Sequence, residues 1–178
     1  LTDDLAAVTA ARGRLDELHP LLADRWSPRA FDPAPLGDDD VAVLLEAARW
    51  APSSRNSQPW RFLVGRDGDT THAGLLAAMA PPNRVWAQRA PLIVAALVHR
   101  TTDGVPSHGA YELGLAVSQL TAQAQARGLH VHQIGGFDAR TVEEAFGVPE
   151  AFAVVVLLAV GRAGDPSSLP EWARGREG

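Results

Sequence analysis

The 178-residue chain has no cysteine, and all 16 of its basic residues are arginines, so lysine is missing as well. Without cysteine there is no disulfide framework, thiol nucleophile, iron–sulfur cluster or thiolate zinc site, and nothing argues for export. Without lysine there is no Schiff-base residue for pyridoxal phosphate and none to complete a phosphate-binding P-loop. Long hydrophobic runs are absent too: residues 91–98 and 151–161 are too short to span a bilayer, and no charged segment leads into a secretory h-region. A net charge of −5 and a pI near 5.6 give no electrostatic reason to expect nucleic acid or an anionic membrane as partner. What survives these exclusions is small-molecule chemistry, with the cytoplasm as the expected location.

The hydrophobic content of 46% supplies enough apolar side chains for one core. Residues 3–22 are helix-prone, with Leu5, Val8, Leu15, Leu18 and Leu22 spaced for one face and Gly13 and Pro20 interrupting it. Asp38, Asp39 and Asp40 offer first-turn carboxylates to a helix striped by Val41, Leu44, Leu45 and Ala48, which Pro52 stops. Strands are predicted over 60–64, 92–99, 129–133 and 152–160, and helices over 71–79, 107–127 and 139–146, the long helix ending at Gly128. That long helix is apolar or small on nearly every side, so in a chain this size a second subunit is expected to supply part of its cover. The tail after Gly161 reads as irregular. The organisation expected is an N-terminal helical extension over 1–24 and a single α+β domain over 25–178 around a central sheet.

Two segments carry chemistry. In RWSPRAF, residues 25–31, Pro28 pushes Ser27 toward extended geometry, which turns Arg25, Ser27 and Arg29 to one side. Two guanidiniums and a hydroxyl aimed at one point suit a phosphate or another electron-rich planar ligand; a solvated arginine-rich loop is the bland alternative. In APSSRNSQPWRF, residues 51–62, Pro52 ends a helix and Pro59 holds Gln58 extended before a strand. Ser53, Ser54, Arg55, Asn56, Ser57 and Gln58 offer more polar side chains than a cap needs, and loops between rigid elements are where binding groups sit.

In order and spacing this pair resembles the nitroreductase family of flavoproteins, whose sequences carry an Arg-x-Ser-x-Arg-x-Phe element and later Ala-Pro-Ser-x-x-Asn-x-Gln-Pro-Trp-x-Phe. The likeness continues through Asn83-Arg84-Val85-Trp86 and Ile134-Gly135-Gly136-Phe137-Asp138 and covers about residues 25–161. The resemblance implies an α+β nitroreductase-like fold, a mainly antiparallel mixed sheet flanked by helices, in an intertwined homodimer with FMN at the subunit interface. It implies that Arg25, Trp26 and Ser27 bind the FMN phosphate and ribityl chain, and that Arg29 lies by the N1 and O2 edge of the ring. Pro52, Ser53, Ser54, Asn56 and Gln58 would reach the flavin of the other subunit. Asn83 would bond the pyrimidine edge, while Ile134, Gly135 and Gly136 bring backbone close to the central ring and N5. A cation beside N1 stabilises the charge that builds there on reduction, and glycine alone permits so close an approach. The family commonly adds a basic phosphate ligand near its C-terminus, for which Arg174 and Arg176 are the available residues.

Weaker signals have ordinary readings. His130 and His132 alternate on a strand with no carboxylate spaced to complete a metal site, and read as half-buried packing residues. His108 and Tyr111, at the start of the long helix, either line a pocket or cap and pack. Trp86 and Phe137 read as core or wall. No side-chain nucleophile is expected: NADH or NADPH would reduce the flavin, which would then pass electrons to a nitroaromatic, quinone or enone. The competing expectations are an FMN-storing or sensing protein without turnover, and a relative that dismantles flavin or dehydrogenates a metabolite.

Overall fold

The computed structural model describes residues 18–100 and 107–177. Most of the helix expected over 3–22 lies outside the described residues. Its end does not continue through Pro20; a separate turn, α1 (Pro20–Ala23), starts there, with His19 Nδ1 accepting from the Leu21 N–H. The other helices are α2 (Asp38–Arg49), α3 (Thr70–Ala78), α4 (Pro81–Ala87), α5 (Ser107–Ala126), α6 (Ala139–Ala145) and α7 (Glu171–Arg174). Strands β1 (Trp60–Arg66), β2 (Leu92–His99), β3 (His130–Ile134) and β4 (Phe152–Gly161) form one sheet in the order β1-β2-β4-β3. Every strand pairing among the described residues is antiparallel.

The sheet is covered on both sides, which is why β2 lacks polar alternation. Successive side chains of a strand point to opposite faces. Leu92, Val94, Ala96 and Val98 pack with Leu44 of α2 and Leu113, Val117 and Leu120 of α5. Ile93, Ala95 and Leu97 pack on the other side with Leu75, Met79, Trp86 and Val142. The β2–β4 register shifts between Ala96, opposite Val156, and Leu97, opposite Val154. The skipped residue, Val155, bulges out and is 41% exposed in an otherwise buried strand.

Helix α5 buries Leu113, Ala116, Val117, Leu120 and Ala124 and leaves its opposite side open, with Gly114 and Ser118 exposed and Tyr111 67% exposed. Two elements depart from expectation. The Pro81-Pro82 pair starts α4 at its first turn, where proline's missing N–H is no loss. The tail is not irregular: a 3-10 turn (Pro166–Ser168) and α7 seat Leu169 and Ala173 in the core.

Candidate functional site

Three groups of polar residues surround the sheet. The first is the extended run 25–31. Pro28 and Ala30 point inward and are buried, so Arg25 and Ser27 point out, with Arg25 Nη1 3.4 Å from Ser27 Oγ. Both line a cavity of about 300 Å³ with Gln133 of β3 and Gly114, Ser118 and Thr121 of α5. The run is anchored from behind: His132 Nδ1–H donates to Pro28 O at 2.9 Å, its ring lies 4.4 Å from that of Trp86, and Trp26 meets His130 edge-on. Burial, only partly offset by the bond to Pro28 O, holds His132 below the ordinary imidazole value. Burial likewise lowers His130, whose Nδ1 is buried with no partner.

Arg29 does not line that cavity. Its backbone N–H and that of Ala30 both donate to the Glu177 carboxylate at 3.0–3.1 Å, and its Nη1 donates to Arg176 O at 3.1 Å. The C-terminal segment therefore reaches this site through Glu177 and the Arg176 carbonyl. Arg174 instead turns its guanidinium to Leu169 O.

The second group lies at the end of β3. Ile134 is buried, and beyond it Gly135 and Gly136 line a broad cavity of about 570 Å³ with Met79, Ala80 and Thr141. Asn83 Nδ2 and the Ala80 N–H both donate to Gly136 O, at 3.0 and 2.9 Å. A Cβ on Gly136 would run into Asn83 Nδ2, whereas at Gly135 the same position is open space. The glycines thus present bare backbone beside an amide already fixed in place.

The third group is the 51–60 loop. Arg55, Asn56 and Gln58 adopt positive φ (54°, 55° and 45°), a region unfavourable to side-chain-bearing residues. Such strain persists only where the surroundings over-determine it. Here Ser54 N–H donates to Glu112 Oε1 at 2.6 Å, Ser53 Oγ accepts from the Gln58 N–H, and Gln58 Nε2 donates to Asn56 Oδ1. Arg61 Nη1 donates to the carbonyls of Gln58 and Trp60. Pro52 is exposed just ahead of the loop, and the loop opens onto a cleft of about 530 Å³ with Arg55, Arg61, His99, His108 and Phe152.

Within one chain, then, Arg25, Trp26 and Ser27 stand beside β3, whose end carries Ile134, Gly135, Gly136 and the Asn83 contact. Ser53, Ser54, Asn56 and Gln58 belong to another place, and the two clefts share no lining residue. His108 lines the loop cleft, and Trp86 is core, 1% exposed. Glu112 was not anticipated; the signal for it is a carboxylate directly beside Leu113 on the buried side of an apolar helix. Among the described residues no cluster of three or more histidines or carboxylates could hold a metal, and no helix is long and apolar enough to cross a membrane.

The chain is 32% identical to the 5,6-dimethylbenzimidazole synthase of Rhodospirillum rubrum over 89% of this chain and 88% of that one. It is 46% identical to the major NAD(P)H-flavin oxidoreductase of Aliivibrio fischeri over 50 residues, 26% of this chain and 23% of that protein. Among solved structures, an oxidoreductase containing FMN superposes with a TM-score of 0.85 at 31% identity, over 92% of this chain and 87% of that one. The model of the Nitroreductase family matches residues 22–81 and 71–162, a span that takes in all three polar groups apart from the C-terminal contact to Arg29. By motif, fold and this match, the chain belongs to the nitroreductase family.

Proposed function

We propose that the chain is an FMN-dependent NAD(P)H oxidoreductase that works as a homodimer, with each flavin held between two subunits. The observation that carries this reading is the separation of the two clefts. Residues that the family pattern assigns to one flavin occur here in two places on one chain, and a second copy would bring the loop of one subunit to the Arg25 cavity of the other. The open side of α5, with Tyr111, Gly114 and Ser118, is the surface available for that contact.

The residues fit the cofactor. Arg25 and Ser27 would hold the phosphate with charge-assisted hydrogen bonds, and Trp26 fixes the backbone between them. Ile134 ends the strand so that Gly135 and Gly136 would bring bare backbone to the ring, and Asn83, whose Nδ2 already donates to Gly136 O, would offer its remaining amide atoms to the pyrimidine edge. Arg29 keeps guanidinium donors beyond the one taken by Arg176 O and would place positive charge by N1 and O2. Pro52, Ser53, Ser54, Asn56 and Gln58 would close the pocket from the other subunit. Bound FMN supplies the two-electron chemistry, hydride from NADH or NADPH in one half-reaction and electrons to a nitroaromatic, quinone or enone in the next. The protein contributes position, charge and exclusion of water.

The test is direct. Purified protein should be yellow, with flavin absorption, and should oxidise NADH or NADPH in the presence of menadione or a nitrofuran. Colourless protein that takes up no added FMN would end this reading. A second reading is favoured by the 32% identity to a 5,6-dimethylbenzimidazole synthase, since the dimethylated benzene ring of isoalloxazine is the same fragment. Incubating the reduced holoprotein with dioxygen alone separates the two: the dimethylbenzimidazole as product supports the second, intact flavin the first.

A further inference from the structure

The cleft beside the 53–58 loop carries two arginines that form no ion pair with a carboxylate among the described residues. Five arginines elsewhere meet carboxylates: Arg49 with Glu46, Arg66 with Asp38, Arg100 with Glu143, Arg127 with Asp40 and Arg140 with Glu144. Arg55 does not. It projects from a left-handed backbone position and forms no ion pair or hydrogen bond with another described residue. Arg61 is fixed by the carbonyls of Gln58 and Trp60, neutral groups that orient its guanidinium, and it forms no ion pair among the described residues. Glu112 is the one carboxylate among the described lining residues, and it is 6% exposed and engaged with the Ser54 N–H. His99 and His108 add imidazoles to the same walls.

The cleft is also flat and aromatic on one side. Arg61 lies 5.6 Å from the Phe152 ring centroid, and the His99 ring meets Phe152 edge-on at 5.2 Å. Two guanidiniums without an ion pair among the described residues, beside an aromatic wall and against one buried carboxylate, make a cavity of about 530 Å³ locally basic on a chain of net charge −5. Arginine presents planar, paired donors that match carboxylate and phosphate oxygens.

We propose that this cleft is an anion-accepting subsite, and that it selects reactants carrying a carboxylate or phosphate beside a flat ring. The proposal rests on the dimeric reading above, in which the 53–58 loop of one subunit borders the flavin of the other. Such a reactant would set its ring toward the flavin and its anionic group between Arg55 and Arg61. The anion belongs either to the electron acceptor or to the donor, as the 2′-phosphate of NADPH.

The experiment uses FMN-loaded protein and measures binding without turnover. Dissociation constants are determined for 4-nitrobenzoate against 4-nitrobenzamide, and for NADP⁺ against NAD⁺, by quenching of flavin fluorescence or by calorimetry. The expected result is a preference of about fivefold or more for the anionic member of at least one pair, abolished in Arg55→Gln and reversed in Arg55→Glu. Preference within the nitrobenzoate pair assigns the anion to the acceptor, and preference within the nucleotide pair to the donor. Arg55 has no ion-pair or hydrogen-bond partner to lose among the described residues, so these variants should fold; Arg61→Gln, which keeps a donor toward Gln58 O, provides the second position. Ratios near one in the wild type, or ratios unmoved by both Arg55 variants, overturn the proposal. Failure of the oxidoreductase reading would look different: no NADH or NADPH oxidation with any acceptor, charged or neutral.

Discussion

The Arg25 cavity and the 53–58 cleft are both polar and both touch α5, yet they are built in opposite ways. Around Arg25 no residue has positive φ, and the donors are side chains turned outward by simple alternation, with Pro28 and Ala30 inside. Around the loop the backbone itself is unusual, with three residues at positive φ, and its shape depends on a carboxylate 58 residues away in sequence. At the first place the direction of the side chains follows from local alternation, though β3 and α5 supply its walls. The second exists only once the helix carrying Glu112 has docked, so the two should respond differently to substitution.

The sharpest contrast comes from Arg25→Ala. It removes a charge from a preformed cavity, so FMN affinity should fall about thirtyfold, roughly 2 kcal/mol, in a fluorescence titration, with the melting temperature of the apoprotein nearly unchanged. A large loss of apoprotein stability would show that the two regions are built alike after all. Glu112→Ala should do the reverse. Losing a charge-assisted acceptor for Ser54 N–H should lower the melting temperature of the apoprotein by roughly 4 °C, about 1–2 kcal/mol. Glu112→Gln keeps an acceptor and should recover at least half of that loss. Equal losses in both variants would mean that the carboxylate does not hold the loop.

The smallest effect concerns the anchor behind Arg25. Burial holds His132 below its ordinary value of 6.5 in the folded protein. The folded state therefore binds fewer protons than the unfolded chain as pH drops below about 6.5. Stability should be full above that pH and decline gently as pH falls toward the depressed folded value. His130, shifted in the same direction, adds to the slope. His132→Gln should flatten the decline between pH 7.5 and pH 5.5 in thermal melts; an unchanged slope would show that His132 does not set it.

Much of the fold could be read from residues alone, and the reasons are specific. Strand β2 was bounded correctly at Leu92 and His99 because an unbroken apolar run between Pro91 and Arg100 leaves little choice. Helix α2 followed from three aspartates and an apolar stripe, and α5 from its length and the glycine after it. The short α4 was hidden because two prolines look like a turn until the residues after them are seen to wind. The tail was hidden because Leu169 and Ala173 are too few to show a period, though both are buried. At the site, Arg25 and Ser27 were placed on one side by alternation, but the Arg29 guanidinium donates to Arg176 O, a long-range contact that no local rule announces. Arg55, Arg61 and Glu112 come together only where β1, β2, β4 and α5 meet at one end of the sheet, which no local pattern announces.

At 20 residues, α5 is a rod roughly 30 Å long that supplies Ser118 to one cleft and Glu112 to the other. A rod does not bend to suit one end. Any drift in sequence that rotated it to reshape the Arg25 cavity would also swing Glu112 away from Ser54, so the two clefts inherit each other's tolerances.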